Sequence, residues 1–218
     1  MYKYRILEKI VEKGIVAVIR AESSEKAIRI TEACLEGGIN SIEITFTVPA
    51  AHRLIEDLSK RFHGQDVLLG AGTVLDAETA RAAILSGASY IVSPALNLDT
   101  MKLCNRYQVP CMPGAMTVRE VIMAMEAGAD IIKIFPGSVF GPEVIKAIKG
   151  PLPQASLMPT GGVELSNAVE WLKAGSIALG AGSSLTAGAK TGDYNRVTET
   201  AREFVRVISD FRGNSNVK

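Results

Sequence analysis

Asp130-Ile131-Ile132-Lys133-Ile134-Phe135-Pro136 sets one lysine inside an otherwise apolar run that reads as a fully buried parallel strand. Alternation puts Ile131, Lys133 and Phe135 on one face and Ile132 and Ile134 on the other, so the amine points where isoleucine and phenylalanine point. Burial among apolar groups disfavours the charged form of an amine and frees its lone pair, which suits a lysine that attacks a carbonyl carbon. A lysine that snorkels out of a strand end, or one that pairs with a buried carboxylate, is the competing reading. The rest of the chain has to decide between them.

Working outward, the same pattern of short apolar strand, turn and amphipathic helix recurs. An N-terminal helix with Ile6, Leu7, Ile10 and Val11 on one face stops at Gly14, and strand Ile15 to Ile19 ends at Arg20. Ser23 or Ser24 caps a helix that buries Ala27, Ile30, Cys34 and Leu35, and strand Ser41 to Phe46 follows. Helix Ala50 to Phe62, strand Val67 to Ala71, a helix capped by Asp76 and strand Tyr90 to Ser93 continue the series. Next come a helix from about Asn97 to Tyr107, strand Val109 to Met112, and a capping box at Thr117 and Glu120 that opens the helix before the lysine strand. Pro142 starts another helix, strand Ser156 to Met158 leads into helix Leu165 to Lys173, and strand Ser176 to Leu179 precedes a last helix, about Arg196 to Phe211.

The pattern gives eight strands alternating with eight helices behind one leading helix, and such alternation forces parallel strands with helical crossovers. Glu36-Gly37-Gly38, Leu85-Ser86-Gly87-Ala88, Glu126-Ala127-Gly128-Ala129 and Lys173-Ala174-Gly175 echo one another before strands two, four, six and eight. This two-unit echo favours a single (β/α)8 barrel with an extra N-terminal helix over an open doubly wound sheet. The expected layout is one domain over 1–218: helix about 3–13, barrel about 15–212, then a short tail.

A (β/α)8 barrel works at the C-terminal ends of its strands. Those ends read Arg20; Glu43 with Thr45 and Thr47; Gly72-Thr73; Ser93-Pro94; Pro113-Gly114; Lys133 with Phe135; Thr160-Gly161-Gly162; and Gly180-Ala181-Gly182-Ser183. Glycine turns after strands seven and eight present backbone N–H groups, and Gly182-Ser183-Ser184-Leu185 is expected to start a short helix, a setting for a phosphate. Without a GxxxxGK[ST] loop or a GxGxxG turn, the phosphate belongs to a substrate and not to ATP or a dinucleotide. Glu43, inside Ile42-Glu43-Ile44, is a second ionisable group on an apolar strand; it suits a proton shuttle beside a nucleophile, or a structural partner for the lysine.

Composition removes other classes. The 218 residues are 47% hydrophobic and 22% charged, with a formal net charge of +1, which gives no electrostatic case for nucleic acid or an anionic membrane. Cys34, Cys104 and Cys111, without a CxxC pair, read as reduced packing residues of a cytoplasmic protein. The first residues lack a signal-peptide core, and no apolar run reaches membrane-spanning length. His52 and His63 are assigned to the surface, and neither HxH nor HExxH occurs, so no metal is expected.

Glu43-Ile44-Thr45, Gly70-Ala71-Gly72-Thr73-Val74-Leu75, Val92-Ser93-Pro94, Lys133-Ile134-Phe135-Pro136, Pro159-Thr160-Gly161-Gly162-Val163 and Gly192-Asp193-Tyr194-Asn195-Arg196, in this order over nearly the whole chain, closely resemble the 2-keto-3-deoxy-6-phosphogluconate (KDPG) / 4-hydroxy-2-oxoglutarate (KHG) aldolases. The resemblance implies a homotrimeric (β/α)8 barrel and a class I aldolase with neither metal nor organic cofactor, acting on a 2-keto-3-deoxy sugar acid phosphate and pyruvate. It matches Lys133 to the Schiff-base lysine and Glu43 to the general acid/base. It matches Thr73, Pro94 and Phe135 to the surroundings of the pyruvate moiety, and Gly161, Gly162 and Ser183, with Thr160 and Gly182 beside them, to the phosphate site. Thr47 stands where some members have an arginine, so carboxylate recognition passes to Arg20, as in members that lack that arginine. The galactonate epimer is the alternative substrate in the same family, a reading that Arg20, Phe135-Pro136 and Phe140-Gly141-Pro142 also fit. Outside it, a phosphosugar isomerase or epimerase, or a non-catalytic phosphosugar-binding barrel, leaves a buried Lys133 without a use.

Overall fold

The computed structural model describes residues 2–215. Helix α1 (Tyr2–Lys13) leads into β1 (Ile15–Ile19), α2 (Ser24–Glu36), β2 (Ser41–Thr45), α3 (Ala51–Arg61), β3 (Leu68–Gly72), α4 (Ala77–Leu85), β4 (Tyr90–Val92) and α5 (Leu98–Tyr107). The second half runs β5 (Cys111–Met112), β6 (Gly114–Ala115), α6 (Val118–Glu126), β7 (Ile132–Ile134), α7 (Glu143–Lys149), β8 (Leu157–Pro159), α8 (Ala168–Lys173), β9 (Leu179–Ala181) and α9 (Tyr194–Ser215). A six-stranded curled sheet has the order β5-β4-β3-β2-β1-β9, and a three-stranded sheet has the order β6-β7-β8. All the pairings are parallel. An isolated parallel bridge joins Thr160 to Gly180, next to the ends of β8 and β9.

The expected helix starts hold where a side chain can accept from the first turn. Ser23, Asp76 and Asn97 cap their helices, and Thr117 with Glu120 forms the reciprocal capping box. Burial follows strand alternation. Ile132 and Ile134 pack under the helices in the larger apolar cluster, whereas Ile131 joins Val16, Tyr90, Met112 and Met158 in a separate inner cluster sealed by Ile6, Leu7 and Ile10 of α1.

Most strand and helix limits shift by a residue or more from the sequence reading, and some shifts have a visible cause. The expected strand Val109 to Met112 shortens to β5 and resumes after a break as β6, because Pro113 has no N–H for the ladder; its carbonyl still accepts from Lys133 N at 2.9 Å. The last strand starts at Leu179, not Ser176: Ser176 N is still occupied by the carbonyl of Trp171 at the end of α8, and Ile177 N bonds Leu157 O of β8 before pairing with β1 begins at Leu179. Gly182 to Thr186 makes one closed turn, with Thr186 N donating to Gly182 O at 3.0 Å, and a 3-10 segment Ala187–Thr191 replaces the expected short helix. Val11 is exposed and off the buried stripe of α1. The tail expected after about residue 212 is helical as far as Ser215, and its remainder lies outside the described residues.

Candidate active site

Lys133 stands in the middle of β7 and is 3% exposed; Glu43 stands in the middle of β2 and is fully buried. Their side chains meet across the inside of the sheet, with Lys133 Nζ 3.5 Å from Glu43 Oε1. That contact is at the limit of a hydrogen bond, and neither carboxylate oxygen has a hydrogen-bond partner among the described residues. Phe135, two residues on and on the same face, holds its ring centre 5.2 Å from the same ammonium. An amine and a carboxylate, both out of water and neither locked to a third group, can exchange a proton while one of them reacts.

Two glycines of β3 make the space for this pair. A Cβ at Gly72 would lie 2.0 Å from Glu43 Oε1, and one at Gly70 would lie 2.1 Å from Cε2 of Tyr90. Side chains two apart on a strand share a face, so β3 presents a bare strip into which Glu43 and Tyr90 lean. Sequence reasoning missed Tyr90; the sole signal was a phenol opening the otherwise apolar Tyr90-Ile91-Val92.

Two cavities open at the C-terminal ends of the strands, and neither Lys133 nor Glu43 is among the residues that line them. The smaller, about 100 Å³, is lined by Arg20, Phe135, Thr160, Gly161, Gly162, Gly182 and Ser183 among others, so both glycine turns and the arginine meet there. Gly161 and Gly162 have φ of +85° and +72°, and a Cβ at Gly162 would come within 2.8 Å of the Ser138 Cα. Gly162 is therefore required by backbone packing. The larger cavity, about 590 Å³, shares Arg20, Gly182 and Ser183 and adds Thr47, Lys26 and Lys190, of which the two lysines carry no signal in the sequence. Thr47 is tied back to Thr45, 2.7 Å between hydroxyls, and Thr45 in turn donates to Ile19 O.

Thr73 and Pro94 line neither cavity. They stand just past β3 and β4, with Thr73 in the left-handed region at φ +56° and the Pro94 carbonyl against Gly114. His52 and His63 are exposed, and the three cysteines are free and buried, as read from the sequence. Among the described residues no three of His, Cys, Asp and Glu converge.

The pattern of the family described as "Aldolase: KDPG and KHG aldolase" matches residues 6–200 of this chain. The chain belongs to the KDPG and KHG aldolase family. Like the family it joins, it is an aldolase, a carbon–carbon lyase. A 2-dehydro-3-deoxy-phosphogluconate aldolase of Treponema pallidum is 32% identical over 207 residues, 93% of this chain and 97% of that one. A 2-dehydro-3-deoxy-6-phosphogalactonate aldolase of Escherichia coli K12 is also 32% identical, over 90% of this chain and 95% of that one. The crystal structure of a Legionella pneumophila KDPG aldolase, with pyruvate captured as a covalent carbinolamine, superposes with a TM-score of 0.80 at 28% identity, covering 87% of this chain and 92% of that one. In this aldolase, β2 and β7 supply the buried pair, and the turns after β8 and β9 line the smaller cavity together with Arg20 and Phe135.

Proposed function

We propose that this aldolase cleaves 2-keto-3-deoxy-6-phosphogluconate to pyruvate and glyceraldehyde 3-phosphate, and 4-hydroxy-2-oxoglutarate to pyruvate and glyoxylate, through a Schiff base on Lys133. The observation that carries this is the buried Lys133–Glu43 contact at 3.5 Å. Glu43 takes the ammonium proton, and the freed amine adds to the C2 ketone. Loss of water gives a protonated imine, which accepts the electron pair of the C3–C4 bond as that bond breaks. Glu43, having passed its proton to the departing water, takes the C4 hydroxyl proton, and the aldehyde leaves. The enamine is protonated at C3 by the same carboxyl group, and water hydrolyses the imine to pyruvate and free lysine.

Phosphate recognition falls to the smaller cavity, where Gly161, Gly162, Gly182 and Ser183 turn backbone and hydroxyl donors inward beside Thr160; anchoring there holds the reacting bond over Lys133. Arg20 takes the carboxylate, with Thr47 beside it, while Thr73, Pro94 and Phe135 surround the pyruvate carbons. The phosphogalactonate epimer is the second reading, supported by an E. coli phosphogalactonate aldolase as similar to this chain as the Treponema enzyme. Steady-state rates on the two epimers and on 4-hydroxy-2-oxoglutarate test the assignment. A kcat/KM for the gluconate epimer above that for the galactonate epimer is expected; the reverse order selects the second reading, and turnover of none of the three rejects both.

The same reading extends to architecture. The two sheets belong to one closed (β/α)8 barrel in one domain: the Thr160–Gly180 bridge supports the join of β8 to β9, and β5 and β6 read as one strand split at Pro113. Three such barrels assemble as a homotrimer, as the family resemblance implies; a mass near three times 23.2 kDa by light scattering is expected, and a monomer would contradict it.

A further inference from the structure

Tyr90 is fully buried, and its hydroxyl has no hydrogen-bond partner among the described residues. The residues packed around it, Val16, Met112, Ile131 and Met158, with Ile6 and Ile10 of α1, are apolar, so a phenylalanine would fill the same space without burying an orphan donor. Register explains where the hydroxyl goes. Glu43 pairs with Gly70, and Gly70 pairs with Tyr90, so the three lie in one row across β2, β3 and β4. The ring end lies over Gly70, where a Cβ would be 2.2 Å from Cζ. The ring end of Tyr90 thus lies over Gly70 and the Glu43 carboxylate over Gly72, two residues apart on the same face of β3. Glu43 is an acceptor with both oxygens unpartnered, and its charge, after burial itself, helps push the Tyr90 phenol well above its ordinary range. An orphan donor and an orphan acceptor on one bare strip of β3 are the two ends that a single bridging water would satisfy.

We propose that Tyr90 is a positioning residue for the aldol cleavage: its hydroxyl donates to a water that in turn donates to the Glu43 carboxylate, fixing the carboxylate opposite Lys133. The proposal rests on the reading of Glu43 as the acid/base. The titratable groups that face Glu43 are Tyr90 from β4 and Lys133 from β7, since β3 contributes Gly70 and Gly72 there and the inner cluster is otherwise apolar. Removing a donor to a carboxylate disfavours its charged form, so the acidic limb of the rate profile should move to higher pH.

The test compares the parent and Tyr90→Phe full-length enzymes, alone and in a Glu43→Gln background, by kcat and KM for the phosphorylated sugar acid across pH, with borohydride trapping of pyruvate on each. Tyr90→Phe is expected to lower kcat about tenfold with KM within about twofold, to move the acidic limb up by about half a pH unit or more, and to leave trapping at Lys133 intact. In the Glu43→Gln background the same change should add no further loss. An unchanged kcat and limb, or an equal loss in both backgrounds, would make Tyr90 packing alone and overturn the proposal. Absence of trapping in the parent would instead overturn the Schiff-base reading beneath it.

Discussion

Glycine at 72 sets where the Glu43 carboxylate can lie, and so bears directly on the proposed chemistry. With a Cβ position 2.0 Å from Glu43 Oε1, any side chain there must push the carboxylate away from Lys133. Gly72→Ala should therefore keep the fold, judged by circular dichroism, and lower kcat about a hundredfold, the usual consequence of a reacting group displaced by about an ångström. A fully active Gly72→Ala would show that the carboxylate position is not critical. Glu43→Gln should slow cleavage by about two orders of magnitude while trapping with pyruvate persists in part. Cys34 makes a different kind of statement. Burial pushes its thiol up to about 12, so between the ordinary thiol range, about 8.5, and that value the unfolded chain holds fewer protons than the folded one, and stability falls as pH rises through the window. Cys34→Ala should lose less of its urea midpoint between about pH 8 and pH 10 than the parent does; equal losses would remove Cys34 as the cause.

At the level of elements, α1 is a plug. Ile6, Leu7 and Ile10 complete the inner cluster that carries Tyr90 and Met158, and Ile10 is fully buried. Ile10→Ala should destabilise by about 2–5 kcal/mol, read from denaturant midpoints, because it empties a fully buried site in that cluster; a midpoint equal to the parent's would show that α1 does not seal it. How legible these elements were depended on what marks them. Caps are local, so Asp76 and the Thr117–Glu120 box announced their helices in the sequence. Strand limits are set by partners far along the chain: Pro113 splits β5 from β6, and Trp171 O holds Ser176 back from β9. Lys133 and Glu43 were legible as charges on apolar strands, whereas Tyr90 and the glycine strip of β3 acquire meaning only through the row Glu43, Gly70, Tyr90.

At the scale of the whole molecule, the proposed chemistry and the proposed anchoring fall on different strands. Lys133 and Glu43 come from β7 and β2, while the turns after β8 and β9 line the smaller cavity. Gly162 is a poor place to test this, since its φ of +72° and the Ser138 backbone would make any substitution strained. Ser183 is exposed and lines both cavities. Ser183→Asp should lower kcat/KM for the phosphorylated substrate by about two orders of magnitude or more, roughly 2.7 kcal/mol, and that for 4-hydroxy-2-oxoglutarate much less. Equal losses would detach the loops from phosphate. The central claim is a covalent bond at one lysine, and borohydride reduction with pyruvate followed by peptide mass mapping addresses it most directly. The account predicts one carboxyethyl group per chain, on Lys133, and none on Lys133→Met; a parent enzyme that turns over substrate yet is left unlabelled, or is labelled at another lysine, would contradict it.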